Sequence, residues 1–301
     1  MEEFNLKNAM LIFNPSSGKE EAETYKKRAV TVLEGLGYKV IVKETKKEKD
    51  ATDFASQACA EKLDFLLAMG GDGTVNEVIN GLAEKEYRPL FSFIPLGTVN
   101  DLARALGIPL DPELAIEALK MTNTEWIDIA KIEEKYFMNI VAIGEIASRV
   151  ADTSVEQKTK FGSLAYLIEG AKAIISNEEN EMTITHDQGI WKGSAMLVLV
   201  ALTNSVAGFE KMAPNAEIND GFLHVFIIKE AGIPSVIKMG AKILLGTLEE
   251  DKGVEVIQTT QVLIESAKIL TCNVDGDEGT STPVQLKVLP RHLELLIPKK
   301  S

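Results

Sequence analysis

The sequence predicts an α/β N-terminal domain with a parallel sheet, followed by a C-terminal antiparallel β-sandwich domain. Three observations predict it. Short apolar runs alternate with helix-periodic stretches up to about residue 130, the rhythm of βαβ units. Several of those runs end in polar, glycine-containing loops. Beyond about residue 130 strand-like runs follow one another with few crossover helices, which suits an antiparallel sandwich. The expected division is 1–129 and 130–289.

Ala9–Phe13 reads as the first strand, ending in Asn14-Pro15-Ser16-Ser17-Gly18. A charged helix follows, with Ala29, Val32, Leu33 and Leu36 on one face. Tyr38–Val42 is a strand and Asp50–Lys62 a helix. The next strand runs into Gly70-Gly71-Asp72-Gly73-Thr74, after which Val75, Val78, Ile79 and Leu82 recur at helical spacing. Phe91–Ile94 is a strand ending in Pro95-Leu96-Gly97-Thr98-Val99-Asn100-Asp101, followed by helices Leu102–Leu106 and Pro112–Met121. Ligands on such sheets bind at the carboxyl ends of the strands, so the loops Asn14–Gly18, Gly70–Thr74 and Gly97–Asp101 are expected to converge.

In the second half, strands are expected at Trp126–Ile132, Tyr136–Ile143, Met182–Thr185, Met196–Leu202, Phe222–Ile228, Val254–Ile257 and Val262–Ser266. Helices are expected at Ser163–Ile175 and Ser235–Leu245. Val284–Pro298 alternates with period two on either side of Pro290, which predicts a hairpin or two sequential strands.

Of the 301 residues 45% are apolar and 26% charged, the balance of a soluble globular protein. A net charge of −13 and a pI near 4.9 argue against nucleic acid as a partner, which a basic surface would serve. Two cysteines, Cys59 and Cys272, make no disulfide framework and fit a reducing interior. The start, Met1-Glu-Glu-Phe-Asn-Leu-Lys7, lacks a signal peptide's basic and apolar regions. The apolar run Ala195–Leu202 is too short to span a bilayer. The expectation is a cytoplasmic protein, at most peripheral on a membrane.

Gly70–Thr74 reads either as an ordinary βα turn or as a phosphate loop at the positive end of a helix, with Asp72 a partner for Mg²⁺. It is neither a P-loop nor the dinucleotide fingerprint, whose spacings are absent. Asp275-Gly276-Asp277-Glu278 reads as an acidic hairpin turn, or as a general base for a hydroxyl with a metal-binding neighbour. Asn219-Asp220-Gly221 reads as turn chemistry or as a cation loop. His186, His224 and His292 are expected to be structural or surface residues near no candidate site.

Together, Asn14–Gly18, Gly70–Thr74 with Asn76-Glu77, Pro95–Asp101 with Leu102-Ala103-Arg104, and Asp275-Gly276 resemble, in order, the diacylglycerol-kinase catalytic domain. Ala213–Gly221 and Gly162–Tyr166 are also similar to the soluble bacterial-type lipid kinases of that family. The glycine loop by itself is shared with NAD kinases and is similar to that of phosphofructokinases.

The resemblance implies a nucleotide in the interdomain cleft and a last stretch, about 290–301, that completes the first domain. It implies ATP contacts from Asn14, Pro15, Ser16, Ser17, Gly18, Thr45, Gly71, Asp72, Gly73, Thr74, Val75, Asn76, Glu77 and Thr98. Asp72, Asp101 and Asp128 match aspartates near a catalytic Mg²⁺. Asp220, through its side chain, and Glu217 and Phe222, through backbone carbonyls, match a structural Mg²⁺ site. Asp277, assisted by Asp275, stands where the family has its base. The family's usual Asp-Gly-Glu is here Asp275-Gly276-Asp277, and Val99 replaces a glycine or small polar residue.

The function so implied is ATP-dependent phosphorylation of a lipid hydroxyl, diacylglycerol-like, at a membrane surface. The alternatives are a kinase of the same superfamily acting on another lipid or on a soluble substrate such as NAD, and a non-catalytic nucleotide or lipid sensor. Related folds often pair through sheet edges, which leaves a homodimer open.

Overall fold

The computed structural model describes residues 6–17, 22–144, 180–205, 213, 216–229, 242 and 245–299. The expected helix Ser163–Ile175, most of Ser235–Leu245, and Gly18 lie outside the described residues. The chain divides into two compact units, Met1–Ile127 with Arg291–Ser301, and Asp128–Pro290.

The first unit is a parallel sheet with helical crossovers. Its strands are β1 (Lys7–Phe13), β2 (Tyr38–Glu44), β3 (Phe65–Gly70) and β4 (Leu90–Pro95), in the order β2-β1-β3-β4. All three pairings are parallel. Central strands β1 and β3 are apolar on both faces, as a sheet covered on both sides requires. Phe13, Phe65, Leu66, Leu67 and Met69 are fully buried, each side chain contributing about 1.5–3 kcal/mol. The crossovers are α1 (Ala22–Gly35), α2 (Asp50–Ala60) and α3 (Asp72–Leu82), with α4 (Asp101–Leu106) and α5 (Pro112–Ala118) after β4. Helices α2 and α3 pack closely at Gly81, where an added Cβ would lie 2.4 Å from the Thr52 carbonyl oxygen.

Strand β5 (Thr122–Ile132) leads into the second unit, which holds two antiparallel layers. One layer has the order β12-β11-β10-β7-β14-β15. Its strands are β7 (Ile140–Ile143), β10 (Leu197–Ala201), β11 (Leu223–Ile228), β12 (Val254–Thr259), β14 (Thr271–Val274) and β15 (Asp277–Ser281). The other runs β16-β13-β8-β9, from β16 (Val284–Pro298), β13 (Gln261–Ser266), β8 (Asn180–His186) and β9 (Gly189–Ala195). Val141, Val198 and Val225 of the first layer share one core with Ile184, Ile264 and Leu286 of the second, which is a β-sandwich.

The structure departs from the expected elements at three places. Tyr136–Ile143 is not one strand: β6 (Lys135–Phe137) and β7 are separated where the Asp275 carboxylate takes the backbone N–H groups of Met138, Asn139 and Ile140. Val284–Pro298, expected as a hairpin or two sequential strands, forms one continuous strand. Arg291, at φ 46, falls within it just after Pro290; residues 284–287 pair with β13, whereas Leu295 pairs in parallel with Phe91 of β4. Strand β9 was not expected, because Gly189-Ile-Trp-Lys-Gly-Ser-Ala195 shows no clean alternation and forms an edge strand.

Candidate functional site

The register places Glu44, Phe13, Met69 and Ile94 at one level across the first sheet. The loops at 14–17, 45–49, 71 and 96–100 therefore leave the same edge, as expected for the carboxyl ends of parallel strands. Backbone bonds knit their first residues together: Asn14 N–H to Met69 carbonyl at 2.9 Å, Thr45 N–H to Phe13 carbonyl at 2.9 Å, and Leu96 N–H to Gly70 carbonyl at 2.8 Å.

The glycines there are steric requirements. A Cβ on Gly70 would lie 2.5 Å from the Thr74 side chain. A Cβ on Gly97 would lie 2.9 Å from the Gly71 Cα and 2.7 Å from Asn100 Oδ1. A Cβ on Gly73 would meet nothing within 4 Å beyond its own helix backbone and chain neighbours, so among the described residues no packing contact accounts for the glycine at that position.

Helix α3 starts after Gly71, which offers no side-chain cap. Its positive end is thus open to an anion. Asn14 ties the first loop to this helix, its Nδ2 donating to Thr74 Oγ1 at 3.0 Å while its Oδ1 accepts from Ser16 N and Oγ. The Asp72 carboxylate turns the other way and accepts the Asn100 N–H at 2.8 Å and the Asp101 N–H at 3.1 Å. Asn100 is left-handed, at φ 56, and its own side chain takes the Gly97 N–H, so Asp72 caps α4 in its place. Burial pushes the Asp72 carboxyl above the usual carboxylate range; the two backbone donors work against the rise and the charge of Asp101 adds to it.

A groove of about 740 Å³ opens on this edge. Of the expected nucleotide residues, Asn14, Pro15, Ser16, Thr45, Thr74 and Glu77 line it. Val75 is buried in the core, Asn76 accepts from Asn80 within α3, and Thr98 is exposed on the 96–100 loop. Glu77 Oε2 also accepts the Ala51 N–H at 3.2 Å, which caps α2. Glu44, Lys46, Lys47, Glu48 and Ala51 complete the lining and were not anticipated. The position of this stretch at the end of β2 is the sequence signal that marks it.

In the second unit, Asp275 and Gly276 form a two-residue turn between β14 and β15, at φ 50 and 98, with Val274 paired to Asp277. Positive φ at both positions is the I′ hairpin signature. The Asp275 carboxylate accepts from Met138, Asn139 and Ile140 N–H at 2.9, 3.0 and 2.9 Å, and Gly276 N–H donates to Asn273 Oδ1 at 3.1 Å. Asp275 thus anchors the hairpin, while Asp277 opens β15 at an exposed position.

Asp128 is buried in the second unit, where its Oδ2 accepts the Gly221 N–H at 2.7 Å. Asp220 accepts from Phe222 N–H at 2.8 Å and Glu217 N–H at 3.1 Å, and meets His224 Nε2 at 2.8 Å. Burial would raise the Asp220 carboxyl, but these donors, His224 first, bring it below its ordinary value. His224 therefore belongs to a candidate site after all; its place four residues after Asp220, on β11, is the signal. Among the described residues no three His, Cys, Asp or Glu side chains gather as a metal cluster. Burial pushes the Cys272 thiol up to about 12, so it is inert. Among the described residues no helix is long and apolar enough to cross a membrane.

The family model described as Diacylglycerol kinase catalytic domain matches residues 8–132. That described as YegS C-terminal NAD kinase beta sandwich-like domain matches residues 139–297. The chain is 36% identical to Diacylglycerol kinase of Bacillus subtilis (strain 168) over 296 residues, covering 98% of each chain. It is 36% identical over 293 residues to Diacylglycerol kinase of Staphylococcus epidermidis (strain ATCC 12228 / FDA PCI 1200), covering 97% of this chain and 93% of that one. A crystal structure of a diacylglycerol kinase from Bacillus anthracis str. Sterne superposes with a TM-score of 0.82 at 28% identity, with 98% of each chain covered.

Proposed function

The chain belongs to the diacylglycerol kinase family and is a lipid kinase, and from that premise we propose that it transfers the γ-phosphoryl group of ATP to a diacylglycerol-like hydroxyl. The observation that carries the reading is the uncapped start of α3 beside the groove, with Asp72 half-buried in its first turn. Backbone N–H groups of Gly71, Asp72, Gly73 and Thr74 take the phosphates, supported by Asn14, Pro15, Ser16, Ser17 and Gly18. Thr45, Val75, Asn76, Glu77 and Thr98 complete the set that contacts or shapes the nucleotide site.

Asp72 and Asp101 fit Mg²⁺. Burial and the neighbouring Asp101 charge disfavour ionised Asp72, and a divalent cation would relieve both. Two carboxylates with phosphate oxygens and water are the donor class Mg²⁺ takes. Asp128 is the third acid of the expected set. When bound, the ion supplies positive charge that neutralises the phosphate oxygens. The Asp220 carboxylate, which here accepts the N–H groups of Glu217 and Phe222, and the carbonyls of those two residues are the oxygen donors that would hold a second, structural Mg²⁺.

In the reaction, the lipid oxygen bonds to the γ-phosphorus as the bond to the β–γ bridging oxygen breaks, and ADP leaves. Asp277 takes the hydroxyl proton; Asp275 sets its position through the hairpin. Because such a lipid resides in a bilayer, the acceptor is met at a membrane surface.

Mass profiling of a total lipid extract incubated with protein, ATP and Mg²⁺ tests the reading. It expects diacylglycerols to gain the mass of one phosphoryl group (HPO3). Phosphorylation of NAD with none of any lipid contradicts it.

A further inference from the structure

We infer that Glu44 reads the nucleotide's sugar: its carboxylate accepts from the ribose 2′-hydroxyl and makes the groove selective for ribonucleoside triphosphates. The inference rests on the reading of this groove as the nucleotide site.

Glu44 is the last residue of β2 and lines the groove. It pairs with Phe13, and Phe13 with Met69, so it stands level with the start of the glycine loop, two strands away. Adjacent strands are about 4.8 Å apart, which puts Glu44 about 10 Å along the sheet edge from that loop. Phosphates seated on the first turn of α3 leave the sugar to lie toward β2, over Asn14 and Thr45. In doubly wound sheets an acidic residue beyond the glycine loop serves the ribose hydroxyls in the same way.

The other acids are less suited. Glu77 is committed to capping α2 through Ala51 N–H. Glu48 lies farther along the loop, past Lys46 and Lys47, whose backbone N–H groups are held by Asp50. The Thr45 N–H to Phe13 carbonyl bond fixes the backbone immediately after Glu44. A carboxylate here also repels a phosphate on the 2′-oxygen, which sets the groove against 2′-phosphorylated nucleotides.

Calorimetric titration of ATP and of 2′-deoxyATP into the wild-type protein and Glu44→Ala tests this. A charge-assisted hydrogen bond lost with the hydroxyl predicts about tenfold weaker binding of 2′-deoxyATP to the wild type. In Glu44→Ala, ATP should weaken to the 2′-deoxyATP value, which itself should not move, and the melting temperature should hold. Equal affinity of the wild type for both nucleotides, or an unchanged ratio in the variant, overturns the inference alone. No binding of either nucleotide overturns the nucleotide reading and this inference with it.

Discussion

The carboxylate of Asp72 accepts the backbone N–H of Asn100 at 2.8 Å. One side chain thereby joins the first turn of α3 to the start of α4. The residue expected to face a cation is also the cap that holds the neighbouring loop, and substitutions can separate these roles. Asp72→Asn keeps a carbonyl oxygen for one N–H but removes the charge. We expect its phosphoryl transfer to fall about 10²–10³-fold. Asp72→Ala should add a stability loss of about 0.5–2 kcal/mol, as for a lost helix cap. Denaturant unfolding beside a turnover assay checks both; full activity in Asp72→Asn would remove the carboxylate from the mechanism.

Gly73 and Gly97 should respond in opposite ways. An alanine Cβ at 97 collides with the Gly71 backbone, so Gly97→Ala should cost about 1–3 kcal/mol. At 73 it meets no packing neighbour among the described residues, and helix propensity predicts a gain of up to about 1 kcal/mol. If phosphate approaches the backbone there, Gly73→Ala should nonetheless weaken ATP binding. Thermal melts with ATP titration distinguish the cases, and unchanged ATP affinity in Gly73→Ala would argue that phosphate lies elsewhere.

Asp275 and Asp277 should separate stability from turnover. Asp275→Ala strands the N–H groups of Met138, Asn139 and Ile140, each costing about 1–3 kcal/mol if it finds no water. Asp277→Ala, at an exposed position, should leave the melting temperature within about a degree or two and abolish transfer. The reverse pattern would exchange their roles.

Two carboxylates give stability opposite pH slopes. Asp187, held by the Thr260 hydroxyl and N–H at 2.7 Å each, is lowered to about 2. Its contribution is present above the ordinary carboxylate range and lost as pH falls toward that value. Asp72 is raised, so the fold binds its proton more tightly than the unfolded chain does. Its share of stability declines as pH rises from the ordinary range through the raised value. Unfolding free energies between pH 2 and 7 for Asp187→Asn and Asp72→Asn, compared with wild type, should show the two slopes removed separately. Superimposable pH profiles would contradict both assignments.

The parallel sheet was legible because β1, β3 and β4 are apolar on both faces, and glycine loops mark their ends. The Asp275-Gly276 turn was legible as hairpin chemistry. What escaped was set by contacts distant in sequence, or by turn geometry that periodicity does not register. The break between β6 and β7 comes from a carboxylate more than a hundred residues away. The pairing of His224 with Asp220 depends on how the 217–222 turn folds back on β11. The lining role of Glu44, Lys46, Lys47 and Glu48 follows from strand order, which local periodicity does not reveal.

The central claim is lipid phosphorylation with Asp277 as the base. It is tested most directly by transfer of radiolabelled γ-phosphate from ATP to diacylglycerol in mixed micelles, using wild type and Asp277→Ala matched for fold and ATP binding. The account predicts labelled phosphatidic acid from the wild type and none above background from the variant. Equal labelling by the two proteins, or no labelled lipid from a wild type that binds ATP, would contradict it.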